Sequence, residues 1–193
     1  MTANEAENIM RDFLSERVAS AMVLKKPTVT DDGTMEETYV HPDVYKGYII
    51  PDSAENTIEN AYPFICVRVT RMFNGGGTNT MAGAENLREK RSFITVRIDF
   101  GVYCEGVTED MQRINDGSGH ADLWSLMEKT RQELFKSLII GGKLSVQYGN
   151  FEANIVEESP YPFWNGYMLV NMEIPPLEPE VFDCFDSFEN NWR

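Results

Sequence analysis

Apolar side chains recur at helical spacing in two stretches of the chain. In residues 4–24 they share one face, and Thr2 and Glu5 precede that face with the spacing of a capping box. Residues 116–140 repeat the pattern, and Gly141 and Gly142 follow as a stop signal. The predicted buried stripe of this second segment is Leu123, Leu126, Met127, Thr130, Leu134 and Leu138. The periodicity predicts one N-terminal and one central amphipathic helix.

Other stretches alternate apolar and polar residues with the period of a half-buried strand. Residues 92–104 follow this alternation most clearly, and residues 63–73 follow it next. The remaining predicted strands are residues 144–157 with a bend at Gly149-Asn150, residues 166–174, and a short edge strand in residues 40–51 broken by Pro42 and Gly47. The order of helix, strands, helix and strands favours a single α+β domain over residues 1–176. We expect an antiparallel β-sheet with the N-terminal and central helices packed against it.

Two segments beside these strands are unusual. Residues 74–91 join the two clearest strands, and this connection is far longer than the roughly two to five residues of an ordinary hairpin. It is either an excursion without regular structure or a long β-hairpin arm that works as a contact. Before the last strand stands Pro160-Tyr161-Pro162-Phe163-Trp164, whose rings are suited to bracing a sheet edge or a seam between subunits.

Charge is distributed unevenly along the chain. The formal net charge is −14, yet residues 62–104 contain six basic and three acidic residues. So acidic a chain repels phosphate backbones, and this makes nucleic acid an unlikely specific ligand. The basic segment is suited to pairing with an acidic face of another copy or of a partner, since complementary potentials fix orientation. The plain alternative is a solvated surface of scattered charges.

Candidate chemistry is sparse, and we assign no catalytic, cofactor-binding or metal-binding residue. Ser118, His120 and Asp122 are residue types of a catalytic triad, but neighbours at a helix start cannot easily line up as one, and Ser118 fits an N-cap. The glycine run at 75–77 lacks the lysine of a phosphate-binding loop. Arg97 and Asp99 are expected to form a surface ion pair on one strand face. The three cysteines match no metal-ligand spacing.

The C-terminal tail, residues 177–193, differs in composition from the domain before it. It is acidic, and it begins directly after Pro175 and Pro176, with Pro179 inside it. If the tail were helical, its aromatic rings would fall roughly on one side of the helix. These rings are Phe182, Phe185, Phe188 and Trp192. So much apolar surface at a terminus either folds back on its own domain or docks on a neighbour, and the sequence favours neither.

The second half of the domain resembles the tail terminator (tail completion) proteins of tailed bacteriophages. The resemblance covers residues 92–176 and rests on the order of the elements, on the helix sequence from Asp122 to Leu134, on the aromatic residues 160–167 and on Met172-Glu173-Ile174-Pro175. It implies an α+β subunit that assembles as a hexameric ring, caps the finished tail tube and offers its other face to the head or connector. The 74–91 arm and the acidic tail depart from the smaller members.

Several expectations follow from this resemblance combined with the charge pattern. The partners would be further copies of the chain, the tail tube protein, and a tail sheath or head–tail connector, while DNA passes through the lumen without specific binding. The resemblance implies a protein that assembles in the host cytoplasm and resides in the virion tail, and no apolar run or leader in the sequence suggests a membrane. The predicted contact residues are Arg68, Arg71, Asn74, Gly75, Gly76, Gly77, Arg88, Lys90, Arg91, Arg97, Phe163, Trp164, Phe182, Phe185, Phe188 and Trp192.

Two other classes of function stay open at this point. The first is a different virion assembly protein, such as a head–tail connector or a head-completion subunit. The second is an enzyme or small-molecule binder, for which the Ser118 and His120 cluster is the only candidate site.

Overall fold

The computed structural model describes residues 1–27, 38–49, 61–75, 91–109 and 112–175. In chain order its elements are α1 (Ala3–Arg17), a 3-10 turn (Ala19–Ala21), β1 (Leu24–Lys26), β2 (Thr38–Val40), β3 (Asp43–Lys46), β4 (Phe64–Gly75), β5 (Arg91–Tyr103), β6 (Val107–Glu109), β7 (Gln112–Ile114), α2 (Ser118–Ser137), β8 (Ile139–Ile140), β9 (Leu144–Ile155) and β10 (Phe163–Ile174). The α+β class predicted from the sequence is confirmed, with two helices and a mostly antiparallel sheet.

Six strands form the main sheet in the order β3-β4-β5-β10-β9-β8. The closing strand β10 therefore lies between β5 and β9, with Phe163 opposite Tyr103 and Ile174 opposite Ser92. Every pairing is antiparallel except that of β3 with β4. The expectation of a wholly antiparallel sheet is wrong at this edge. Residues 47–63 connect the two strands, which is the length that a parallel crossover requires.

Both helices pack on the same face of the sheet. Their apolar stripes meet the inward residues of β4, β5 and β10, and the alternation read from the sequence sets which residues these are. The largest fully buried side chains are Phe100, Met10, Leu14, Ile65, Ile94, Ile98, Leu123, Leu126, Met127, Leu134, Ile140 and Leu144. The main hydrophobic core thus lies between the helices and one face of the sheet. The opposite face of the sheet does not contribute to it.

Polar groups of α1 fix the helix on β3 and β4. A β-bulge interrupts the β4–β5 ladder between Val69 and Arg71, and the Val69 backbone N–H donates to Glu7 at 2.8 Å. Lys46 donates through Nζ to the side-chain oxygens of Asn4 and Asn8, at 2.6 and 3.0 Å. The bulge therefore costs no buried backbone donor, because a helix side chain accepts from it.

The two helices begin in different ways. In α1 the predicted capping box is present: the Thr2 N–H donates to Glu5 Oε2 at 2.8 Å, and the Glu5 N–H donates to Thr2 Oγ1 at 3.2 Å. In α2 the N-cap is Gly117, with φ of 79°, and its first helical residue is Ser118. The predicted Ser118 cap is therefore wrong. Asp116 instead accepts the Ser118 N–H at 2.9 Å, and hydrogen bonds from the Ser118 side chain and backbone lower the pKa of its carboxyl group.

The central helix is shorter than its apolar periodicity predicts. It ends at Ser137, and Ile139 and Ile140 pair with β9 as the edge strand β8. Gly141 and Gly142 both have positive φ and turn the chain from β8 into β9. Neither of the helices in the described part of the chain is long and apolar enough to cross a bilayer.

Candidate interaction surface

The face of the sheet that turns away from the helices is the candidate functional surface, and we call it the open face. Neither α1 nor α2 packs against it, and most of its side chains are only partly buried. On β4, β5 and β10 it comprises Phe64, Cys66, Arg68, Arg71, Phe73, Phe93, Thr95, Arg97, Asp99, Tyr103, Phe163, Asn165, Tyr167, Leu169, Asn171 and Glu173. Along each strand these residues alternate with the core residues, which point towards the helices.

Two arginines share one carboxylate at the centre of the open face. Arg68 Nη2 donates to Asp99 Oδ2 at 2.6 Å, and Arg97 Nε donates to Asp99 Oδ1 at 2.7 Å. Arg68 lies directly opposite Arg97 in the β4–β5 ladder, a placement in which like charges repel. Asp99 bridges them and leaves one net positive charge. The predicted Arg97–Asp99 pair is confirmed, while Arg68 joins it through a strand register that the sequence does not specify.

Aromatic rings support the arginines of this region. The Arg97 guanidinium lies 4.3 Å from the centroid of the Tyr167 ring, and that of Arg71 lies 4.9 Å from the Phe73 ring. Phe73 in turn stacks on Phe93 across the ladder, with centroids 5.4 Å apart. A guanidinium held flat over a ring keeps its N–H edges available for a carboxylate. We call Arg68, Arg71, Arg97, Phe73 and Phe93 the basic half of the open face.

The β9 and β10 side of the open face is acidic and amide-rich. Glu152 lies opposite Leu169 in the ladder, and Glu173 accepts from Gln147 Nε2 at 3.2 Å. At the boundary with β5, Thr95 Oγ1 donates to the side-chain oxygen of Asn171 at 2.7 Å. The open face is therefore polarised, with positive charge over β4 and β5 and negative charge over β9 and β10.

Phe163 lies at one end of the open face within an aromatic cluster of its own chain. Tyr62 contacts it with ring centroids 4.7 Å apart, and Tyr103 does so at 5.5 Å. The Phe64 ring lies across Gly101, where a Cβ would come within 2.2 Å of it. Gly101 therefore has no side chain for a packing reason, and the cluster closes this end of the sheet.

Trp164 lies on the helix side of the sheet, away from the open face. Its indole covers Gly119 in the first turn of α2, and its Nε1 donates to the Cys104 carbonyl at 3.4 Å. The ring of His120 packs edge-on near Trp164, with centroids 6.3 Å apart. The predicted contact residue Trp164 thus braces α2 against β10 inside the subunit.

The Ser118 and His120 cluster does not assemble as a triad. Ser118 Oγ lies 2.9 Å from the buried Cys104 thiol, whereas His120 packs among indole rings. Asp122 is partly buried, and the desolvation raises the pKa of its carboxyl group. Among the residues that the structure describes, no group of His, Cys, Asp and Glu is arranged to bind a metal ion.

Cys66 is the one thiol on the open face, and it is chemically quiet. Its side chain is buried beside Asp99, and the desolvation raises the pKa of the thiol to about 11. A thiol with so high a pKa is scarcely ionised near neutral pH, and only the thiolate is a good nucleophile. Cys66 is therefore a poor candidate for a nucleophile on this face.

Apart from Phe163 and Trp164, the predicted contact residues fall into three groups. Arg68, Arg71 and Arg97 come together on the open face. Gly75 pairs with Arg91, and Asn74 with Ser92, where the β4–β5 ladder ends at the start of the long connection. The third group lies outside the described residues and consists of Gly76, Gly77, Arg88, Lys90, Phe182, Phe185, Phe188 and Trp192. Sequence reasoning missed Asp99 as the bridge and Tyr167 as a support, although their strand alternation places both on the polar face.

No protein-family model matches the chain. A comparison with curated proteins also gives no match. The open face, the charge pattern and the resemblance to tail terminator proteins therefore carry the information on function.

Proposed function

We propose that this protein is a tail-terminator-like virion subunit that assembles as a hexameric ring, caps a phage tail tube and presents a surface for the head or connector. The observation that carries the proposal is the polarised open face. The sheet has its helices on one side only, and its other side exposes positive charge over β4 and β5 and negative charge over β9 and β10. This arrangement suits head-to-tail contacts between identical subunits, because a ring joins two different surfaces of each copy.

The remaining parts of the sequence fit the same role. The connection that follows Gly75 in the β4–β5 ladder would serve as the arm that reaches along or into the tube. A net charge of −14 suits a ring whose channel passes DNA, because basic walls would hold the phosphates. The head–tail connector, and a tail sheath where the tail is contractile, are further partners that fit this role.

Negative-stain imaging and mass photometry of the purified full chain test the proposal. We expect a six-fold ring of 22.0 kDa subunits, alone or at the end of isolated tail tubes. A chain that stays monomeric at every concentration and does not bind tubes would contradict it. A twelve-fold ring would assign the protein to the head–tail connectors, the second candidate.

A further inference from the structure

We infer that the C-terminal tail, residues 177–193, of one subunit binds the basic half of the open face of the next subunit. This inference rests on the proposed ring and names the contact that joins its subunits. Three observations support it. The tail and the basic half have opposite charges, both contain aromatic residues, and a proline spacer leads the tail away from β10.

The charges of the two partners are opposite. The tail contains five carboxylate side chains and one arginine, Arg193. The basic half carries Arg68, Arg71 and Arg97 around the single carboxylate of Asp99. Arg71 is exposed, and Arg68 Nε is buried without an acceptor among the described residues. Arg71 therefore presents a guanidinium that a carboxylate from outside the subunit can reach, and carboxylates are the acceptors that arginines bind best.

The aromatic residues of the two partners also match. The tail places Phe182, Phe185, Phe188 and Trp192 at intervals of three to four residues. Phe73 and Phe93 form a stacked pair on the basic half, and both rings are only partly buried. Rings inserted beside this pair would bury apolar area, while the neighbouring carboxylates reach the arginines. Buried aromatic anchors within a charged rim are the usual composition of a protein interface.

The proline spacer after β10 favours a neighbouring subunit over the tail's own domain. β10 ends at Ile174 opposite Ser92, at the end of the sheet where Phe73 and Phe93 lie. Three prolines follow within five residues, at positions 175, 176 and 179. Proline fixes φ and favours extended chain, so this spacer resists the immediate reversal that docking on its own sheet would require. From Ile174 to Phe182 an extended chain spans roughly 25 Å, enough to cross a subunit boundary.

Photo-crosslinking of the full chain tests this contact. Cys66 and Cys104 are buried, so a benzophenone maleimide should label Cys184 in the tail, and Cys184→Ser serves as the labelling control. Irradiation should give a product at twice the subunit mass on a denaturing gel. Peptide mapping should place the new bond in β4 or β5, near Arg71, Phe73 or Phe93.

A charge-reversed variant and a matched control make the test specific. Arg71→Glu should lower the crosslinked yield about threefold or more, the size expected for losing an exposed charge contact. Lys143→Glu makes the same charge change at an exposed position in the turn between β8 and β9 and should leave the yield unchanged.

The other outcomes overturn the inference in distinguishable ways. Crosslinks to β4 or β5 at the mass of one subunit would place the tail on its own domain. Crosslinks to α1 or α2, or none in a sample that still forms rings, would mean that another surface joins the subunits, with the proposed function intact. An absence of both rings and crosslinks would contradict the function as well.

Discussion

Gly119 illustrates how a single residue sets the geometry of the helix side. It lies in the first turn of α2 beneath Trp164, and a Cβ there would come within 2.2 Å of the indole Nε1. The indole is held by β10 and by its hydrogen bond to Cys104. The smallest side chain is therefore a condition for packing this helix against the closing strand.

We predict that Gly119→Ala destabilises the protein. In an exposed helix this change would stabilise by up to about 1 kcal/mol, because glycine is a poor helix former. Here the overlap with Trp164 should reverse the sign and cost about 1–3 kcal/mol. Urea unfolding measures the difference. Gly149→Ala is the control, since a Cβ there meets nothing within 4 Å and should change little. An increase in stability for Gly119→Ala would show that the indole moves aside freely.

Asp99 has the corresponding role on the open face, because it bridges Arg68 and Arg97. We predict that Asp99→Asn lowers the free energy of unfolding by about 1–2 kcal/mol, since two opposed arginines then lose their common carboxylate in a partly screened site. Glu128→Gln, which removes the carboxylate of an exposed helix pair with Arg131, should cost clearly less than Asp99→Asn. Adding Arg68→Met to Asp99→Asn should recover part of the loss. Equal costs for Asp99→Asn and Glu128→Gln would contradict the bridging role.

At the scale of elements, α1 is held at its N-terminus by a capping box and along its length by Met10, Leu14 and the Glu7 contact to the β4 bulge. Glu5 accepts the backbone N–H of Thr2, and this hydrogen bond lowers the pKa of its carboxyl group below the ordinary 4.5. The charged form is thus the one that the folded helix prefers.

This cap should make part of the stability depend on pH. Because the pKa of Glu5 is lowered on folding, its contribution is present above pH 4.5 and is lost as the pH falls through the folded pKa. Glu5→Gln should therefore be less stable than the natural protein at pH 7, and the difference should shrink at pH 3. Chemical unfolding at both pH values measures this. Glu16→Gln, at the other end of α1, should be neutral or slightly stabilising at pH 7, because a carboxylate is unfavourable near a helix C-terminus. A difference for Glu5→Gln that stays constant with pH would contradict the assignment.

At the scale of the whole molecule, charge separates along the sheet. The basic half of the open face lies over β4 and β5. The acidic side of that face and the C-terminal tail contain part of the excess of acidic residues that gives the chain a net charge of −14. Dissolved salt screens the attraction between two such oppositely charged surfaces and so limits the distance over which it acts.

The proposed ring should therefore dissociate as ionic strength rises. The screening length falls from about 10 Å at 0.1 M salt to about 3 Å at 1 M, which removes most of the attraction between exposed charges. Mass photometry across this range should show subunits increasing at the expense of rings. Rings that tighten with salt would indicate a contact dominated by apolar area instead.

The alternation of apolar and polar residues predicts most of the fold before any coordinates are known. It places β4, β5, β9 and β10 close to their observed bounds, and the Thr2–Glu5 spacing predicts the start of α1. The end of α2 is not predicted, because Ile139 and Ile140 pair with the next strand, β9, instead of continuing the helix. The edge strand in residues 40–51 is predicted, but its parallel pairing with β4 is not, because that direction depends on how the chain crosses over between β3 and β4. Ser118 as a cap fails for a local reason, since Asp116 is the better acceptor for the same turn.

The sequence by itself determines which side chains face the core and which face away, because strand and helix periods depend only on local geometry. It also determines the charge excess and the composition of the tail. The tertiary structure alone decides that both helices cover the same side, that Arg68 meets Asp99 across the ladder, and that Trp164 faces α2 while Phe163 faces the open side. These depend on strand order and register, which many weak contacts between residues far apart in the chain set together.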